Sequence, residues 1–115
     1  MRTDRNLHPV RMEWNKLKGA WKHTYEDGSY RIKRISWGTE QLEHYDAKGS
    51  LTGKGVVPMR IEVKGGLNHF YAFHPNGTYH SIYKIHDGKW YEQFRGIWRE
   101  GNATPDAFLV YERLE

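Results

Sequence analysis

Two hairpins of this chain can bring an imidazole, a phenol and a carboxylate into one row. A three-residue loop at Pro75-Asn76-Gly77 sets His69 opposite Tyr83, Tyr71 opposite Ser81 and Phe73 opposite Tyr79. A two-residue loop at Asp87-Gly88 then sets Tyr83 opposite Glu92, with Ile85 facing Trp90 and Ser81 facing Phe94. His69, Tyr83 and Glu92 among rings could do general acid–base work, because desolvation raises the pKa of a carboxyl group. The competing reading of that row is a hydrogen-bonded set on a solvated face. A two-residue loop of Asn76 and Gly77 is a second possibility, and it shifts every partner by one.

The Asp27-Gly28 turn supplies another set. Read as a two-residue loop, it places Tyr25 opposite Tyr30, His23 opposite Ile32 and Trp21 opposite Arg34. If Trp21 points inward, Arg34 does too, and a cation–π contact between them is worth roughly 0.5–2 kcal/mol. Arg34 then either faces a ligand or helps seal one end of the fold. The candidate ligand contacts are therefore Tyr25, Arg34, His69, Tyr71, Tyr83, Trp90 and Glu92.

Other chemistries find little support. The chain has no cysteine, so disulfides and thiolate chemistry are excluded. His23, His44, His69 and His80 fall on separate strands without the short spacing of metal ligands, and no metal or cofactor is expected. Gly53-Lys54-Gly55 follows no helix and reads as a strand bend rather than a phosphate loop. Asn76-Gly77-Thr78 and Asn102-Ala103-Thr104 match the glycosylation pattern, one short enough to arise by chance. The net charge of +4 admits nucleic acid in principle. Yet the basic residues alternate with acids in RIEVK, WYEQF and IWRE, so no continuous phosphate-tracking groove is expected.

What must position these residues is a sheet. From Gly19 onward, short strand-like runs alternate with turn signals at Asp27-Gly28, Ala47-Lys48-Gly49, Gly65-Gly66, Pro75-Asn76-Gly77, Asp87-Gly88 and 101–106. The chain is all-β. Eight or nine antiparallel strands over some hundred residues predict an up-and-down barrel, whose closure removes exposed edges. Residues 1–17 form a short irregular or helical arm anchored by Trp14 and Leu17, and 1–115 is one domain. Parity in the middle of the chain is open. Met59, Ile61 and Val63 face inward, and a two-residue Gly65-Gly66 loop pairs Ile61 with Phe70, turning His69 and Tyr71 outside. A three-residue loop turns them in. Either way rings occupy both faces of 67–73, and the outer ones could support a homodimer.

Gly19 and Trp21, a Gly-x-Trp at the entry to the first strand after a short arm, resemble the start of lipocalin-like (calycin) barrels. The resemblance implies that Trp21 closes one end of the barrel and that an arginine from late in the chain, Arg113 or else Arg99, packs across it. The chain is shorter than typical lipocalins and is similar to small bacterial lipocalin-like domains. The resemblance further implies binding of a small apolar, aromatic or acyl ligand without catalysis. The alternatives are a filled barrel acting as a homo-oligomeric or protein-interaction module, and an enzyme using His69, Tyr83 and Glu92. No segment is apolar enough to span a membrane or serve as a signal peptide. A cytoplasmic site is the simplest expectation, or an exported one if a signal peptide has been removed.

Overall fold

The computed structural model describes residues 3–96 and 108–114, with side chains described for 9–93 and 109–114. A helix, α1 (Thr3–Leu17), precedes eight strands: β1 (Gly19–Thr24), β2 (Tyr30–Ser36), β3 (Thr39–Tyr45), β4 (Leu51–Lys64), β5 (Leu67–His74), β6 (Gly77–His86), β7 (Lys89–Gly96) and β8 (Phe108–Arg113). Each strand pairs antiparallel with the next, and β8 returns to β1, so the sheet closes as an up-and-down barrel. Arg99 and the Asn102 pattern lie outside the described residues.

The helix earns its place through one face. Val10, Glu13, Trp14 and Leu17 recur at helical spacing and lie against the barrel. Gly19, at φ 119°, lets the chain turn from the helix into β1, a conformation that strains any side chain with a Cβ. Trp21 then donates from Nε1 to the Leu17 carbonyl at 2.7 Å. The Arg113 guanidinium lies 4.2 Å from the Trp21 ring centroid and donates to the carbonyls of Lys18 and Lys16 at the end of α1. Trp21 is fully buried, and Arg113 packs across it.

Three hairpins decide which side chains enter the interior. At Asp87-Gly88 the loop has two residues, both at positive φ, and the pairs Tyr83–Glu92 and Ile85–Trp90 form as expected. At Asp27-Gly28 the same dipeptide closes differently. Tyr25 N–H donates to Ser29 O at 2.8 Å, leaving Glu26, Asp27 and Gly28 as a three-residue loop. Asp27 Oδ1 accepts from both the N–H and the hydroxyl of Ser29, which fixes Ser29 as the closing residue. Trp21 therefore pairs with Lys33, not Arg34. The one-residue slip reverses every face of β2.

The third hairpin closes as Pro75-Asn76, with His74 paired to Gly77. Gly77 begins β6 at φ 149°, a value that favours glycine. Together with the two-residue Gly65-Gly66 loop, this pairs Ile61 with Phe70 and Phe70 with Ser81. Phe70, Ala72, Ser81 and Tyr83 point inward, while His69 and Tyr71 point outward.

The fourteen-residue β4 serves two neighbours in succession. Residues from Leu51 to Pro58 pair with β3, and Met59 to Lys64 pair with β5. Pro58, lacking an N–H, sits where one ladder hands over to the other. The first half of β4 thus runs past the β5–β6 hairpin with one edge unpaired among the described residues.

Candidate functional site

The interior has two layers. The layer beneath the helix is made of rings and aliphatics: Trp14, Leu17, Trp21, Ile35, Met59, Ile61, Phe70, Tyr83 and Trp90. Trp90 meets Trp21 at 5.5 Å and Phe70 at 5.4 Å, both edge to face, the arrangement that ring quadrupoles favour. Glu13 of the helix accepts a hydrogen bond from Tyr83 Oη at 3.0 Å, and burial followed by that carboxylate pushes the Tyr83 phenol upward.

Above it lies a layer of charge. Lys33, on β2, is 2% exposed. Its Nζ stands 3.4 Å from Glu40 of β3 and 3.4 Å from Glu92 of β7, both carboxylates being equally buried. Four rings surround the ammonium: Trp90 at 4.3 Å, Phe70 at 4.6 Å, Tyr111 at 4.9 Å and Tyr79 at 5.8 Å. Burial opposes the Lys33 charge, but Glu40 and Glu92 outweigh it and hold the ammonium above the ordinary lysine range. Glu92 is further satisfied by Ser81 Oγ at 2.9 Å and by Tyr79. Burial and then Glu92 push the Tyr79 phenol up, and burial takes Tyr111 up to about 12. A lysine held protonated is no nucleophile, and a carboxylate engaged by Lys33, Ser81 and Tyr79 is not free to act as a base.

Toward the end of the barrel away from the helix the row is His23, Arg31, His44 and Gly53, paired strand to strand. Arg31 is half-buried, and its Nε is shielded from solvent and has no partner. The guanidinium lies 5.8 Å from the Tyr111 ring. Burial opposes its charge, while Tyr111, Tyr25 and Glu92 favour it and prevail. His44 lies across Gly53, where a Cβ would stand 3.7 Å from the ring, and burial and Arg31 lower its pKa. A Cβ added at Gly55 would meet nothing within 4 Å, so this wall is open. His23 hydrogen-bonds the Val110 carbonyl at 2.9 Å and lies between Tyr25 and Tyr111.

Of the seven residues singled out from the sequence, Tyr83, Trp90 and Glu92 do face the interior. Tyr25 sits at the rim, 37% exposed. Arg34 is outward: its Nε donates to Glu43 Oε2 at 3.0 Å, and Gln41 and Tyr45 bond the same carboxylate. That surface cluster, Arg34 first, holds the Glu43 carboxyl below its usual range. His69 and Tyr71 are outward as well, which dissolves the His69–Tyr83–Glu92 row: His69 pairs with Ile82, and Asn68 stands opposite Tyr83. Outside, the rings form a stack of their own. Arg60 lies over Tyr71, Tyr71 stacks on His80 at 4.4 Å, and His80 Nε2 is 3.0 Å from His69 Nδ1.

Sequence reading missed Arg31, Lys33, Glu40 and Tyr111. In RIKRI the two isoleucines, Ile32 and Ile35, have opposite parity, so alternation alone names no inner face. Glu40 carried a weak signal, being two residues from Leu42 on a strand with few apolar positions.

Among the described residues no group of three or more His, Asp or Glu side chains is placed to hold a metal ion. No described helix is long and apolar enough to cross a membrane. Comparison with protein-family models, with curated proteins and with solved structures returns no match.

Proposed function

We propose that the protein is a noncatalytic, lipocalin-like binding barrel that takes a small, partly aromatic or acyl molecule at the end away from its helix. The observation that carries this reading is a set of solvent-shielded polar atoms without hydrogen-bond partners: Arg31 Nε, Glu40 Oε1, Trp90 Nε1 and Tyr111 Oη. Buried polar atoms are nearly always satisfied, and each one left unmade costs about 1–3 kcal/mol. All four side chains project into one interior, so a guest with a polar end can recover part of that cost. The tyrosine and histidine rings at the rim offer its apolar part a surface.

A titration with an apolar fluorescent probe tests this. Binding should show one site per chain, with energy transfer from Trp21 or Trp90. Tyr111→Ala should weaken binding about tenfold or more, since a hydrogen bond and a packed ring are lost together. Tyr71→Ala and Lys64→Ala, both on the outer face, should leave it unchanged. No binding to the folded protein, or equal losses from all three changes, would remove the pocket reading.

A homo-oligomeric module is the second reading, favoured by the unpaired edge of β4, where Leu51 and Val56 are 53% and 60% exposed. Unpaired edges with apolar side chains are places where a second sheet adds. A dimer in sedimentation that dissociates on Val56→Lys would support it.

A further inference from the structure

We infer that the end of the barrel away from the helix binds the carboxylate of a small organic monoacid, held between the Arg31 guanidinium and the Tyr111 hydroxyl. This rests on the binding reading above and names the chemical class of its ligand.

The argument starts from how the interior charges are committed. Lys33 stands between Glu40 and Glu92, at 3.4 Å from each. Glu92 is also bonded by Ser81 and Tyr79. Arg31 is left out of that arrangement. Its Nε has no acceptor, and no described carboxylate lies within ion-pair distance of it. The Tyr111 hydroxyl, on the residue whose ring faces that guanidinium, is a second shielded donor without a partner. A planar fork of N–H donors beside one O–H donor matches a carboxylate, which accepts two parallel bonds from arginine and a third from a hydroxyl.

Charge balance sets the valence of the guest. Lys33 and Arg31 oppose Glu40 and Glu92, and Glu13 on the helix is paired with Lys16, so the interior is neutral. A monoanion leaves one excess negative charge, in contact with Arg31 and separated from Glu40 and Glu92 by the Lys33 ammonium. A phosphate dianion adds a second charge with no further cation to meet it, and burying an unpaired charge is strongly unfavourable. His44 does not supply that cation, since burial and Arg31 favour its neutral form. Gly55 borders open space that can take the body of the acid, and His23, Tyr25 and Tyr111 supply contiguous rings.

Calorimetric titrations with benzoate, benzyl alcohol and inorganic phosphate test the inference. Benzoate should bind roughly tenfold or more tightly than benzyl alcohol, the span expected when charged hydrogen bonds replace neutral ones. Arg31→Gln should bring benzoate down to the level of the alcohol without moving the alcohol. Arg31→Lys, which keeps the charge and loses the fork, should fall between, and guards against misfolding of the glutamine variant. Tyr111→Phe should cost benzoate several-fold, and Arg34→Gln nothing. Equal affinity for acid and alcohol, or benzoate binding indifferent to both Arg31 variants, overturns the anion site while leaving the binding barrel standing. Phosphate binding more tightly than benzoate overturns the monoanion assignment. Failure of benzoate, benzyl alcohol and the apolar probe alike overturns both readings.

Discussion

The two layers of this barrel are built from neighbouring positions on the same strands, yet they obey different physics. On β2, Ile35 belongs to the ring-filled layer and Lys33, one inward position along, to the charged one. On β7, Trp90 and Glu92 make the same change. The lower layer is held mainly by contact between rings and aliphatics, and the helix with Arg113 across Trp21 covers it. The upper layer must balance charge, donors and acceptors together, and three of its atoms, Arg31 Nε, Glu40 Oε1 and Tyr111 Oη, lack partners. Stability comes chiefly from the first, and the second is the layer to which the proposed binding assigns specificity. Buried ion pairs seldom add net stability over apolar residues of equal volume, so a charged layer in so small a domain points toward recognition.

That contrast can be broken by substitution. The largest effect belongs to Trp21→Ala, expected to destabilise by roughly 3–5 kcal/mol in denaturant melts as a large-to-small change at a site with no exposure. Against a typical domain stability of about 5–15 kcal/mol this is a gross loss, and a melt within scatter of the parent would mean that Trp21 seals nothing. In the charged layer, Lys33→Ala removes the ammonium between two carboxylates and should cost about 3–5 kcal/mol. Its neighbour Arg34 is the control: Arg34→Ala, in an ion pair at the surface, should cost no more than about 1 kcal/mol. Equal losses at 33 and 34 would contradict the two-layer picture.

Alkaline titration sharpens it further. The Tyr111 pKa is raised from the usual value near 10 to about 12 by burial. Its neutral phenol therefore contributes stability that is fully present below pH ~10 and is lost as pH rises through about 12. The tyrosinate absorbance of the parent minus that of Tyr111→Phe should rise only near that upper value. A difference spectrum that rises near pH 10 would place Tyr111 in water. Smallest of all, His69→Ala on the outer stack should change stability by about 0.5–1.5 kcal/mol, the scale of one ring pair, and leave probe binding unaltered.

The sequence disclosed the barrel more readily than its lining. Turn residues at regular intervals announce antiparallel strands whatever the loop length, and the resemblance carried by Gly19 and Trp21 pointed to Arg113 or Arg99 across Trp21, of which Arg113 does pack there. Inward and outward faces depend on parity, which one residue reverses. Asp27-Gly28 and Asp87-Gly88 are the same dipeptide, yet the first closes a three-residue loop through Ser29 and the second a two-residue loop. A strand such as RIKRI, with isoleucines on both faces, offers no apolar pattern against which to check the loop length, so a two-residue loop points to Arg34 as the inner cation where the three-residue loop brings in Lys33. Where both flanking strands are strongly patterned, as at Ile85–Trp90, the register was legible. His69 and Tyr71 failed for the same reason as Arg34, since 67–73 has rings on both faces.

The central claim is that a charged layer with Lys33 at its heart lies inside the barrel, beneath a site open to ligand. Competitive labelling of the lysines with a water-soluble amine reagent, read by peptide mass spectrometry under native conditions, tests it most directly. Lys33, shielded by four rings and two carboxylates, should stay unmodified until the protein is unfolded, while Lys64, 65% exposed, reacts at once. Modification of Lys33 at the rate of Lys64 in the folded protein would contradict the account at its foundation.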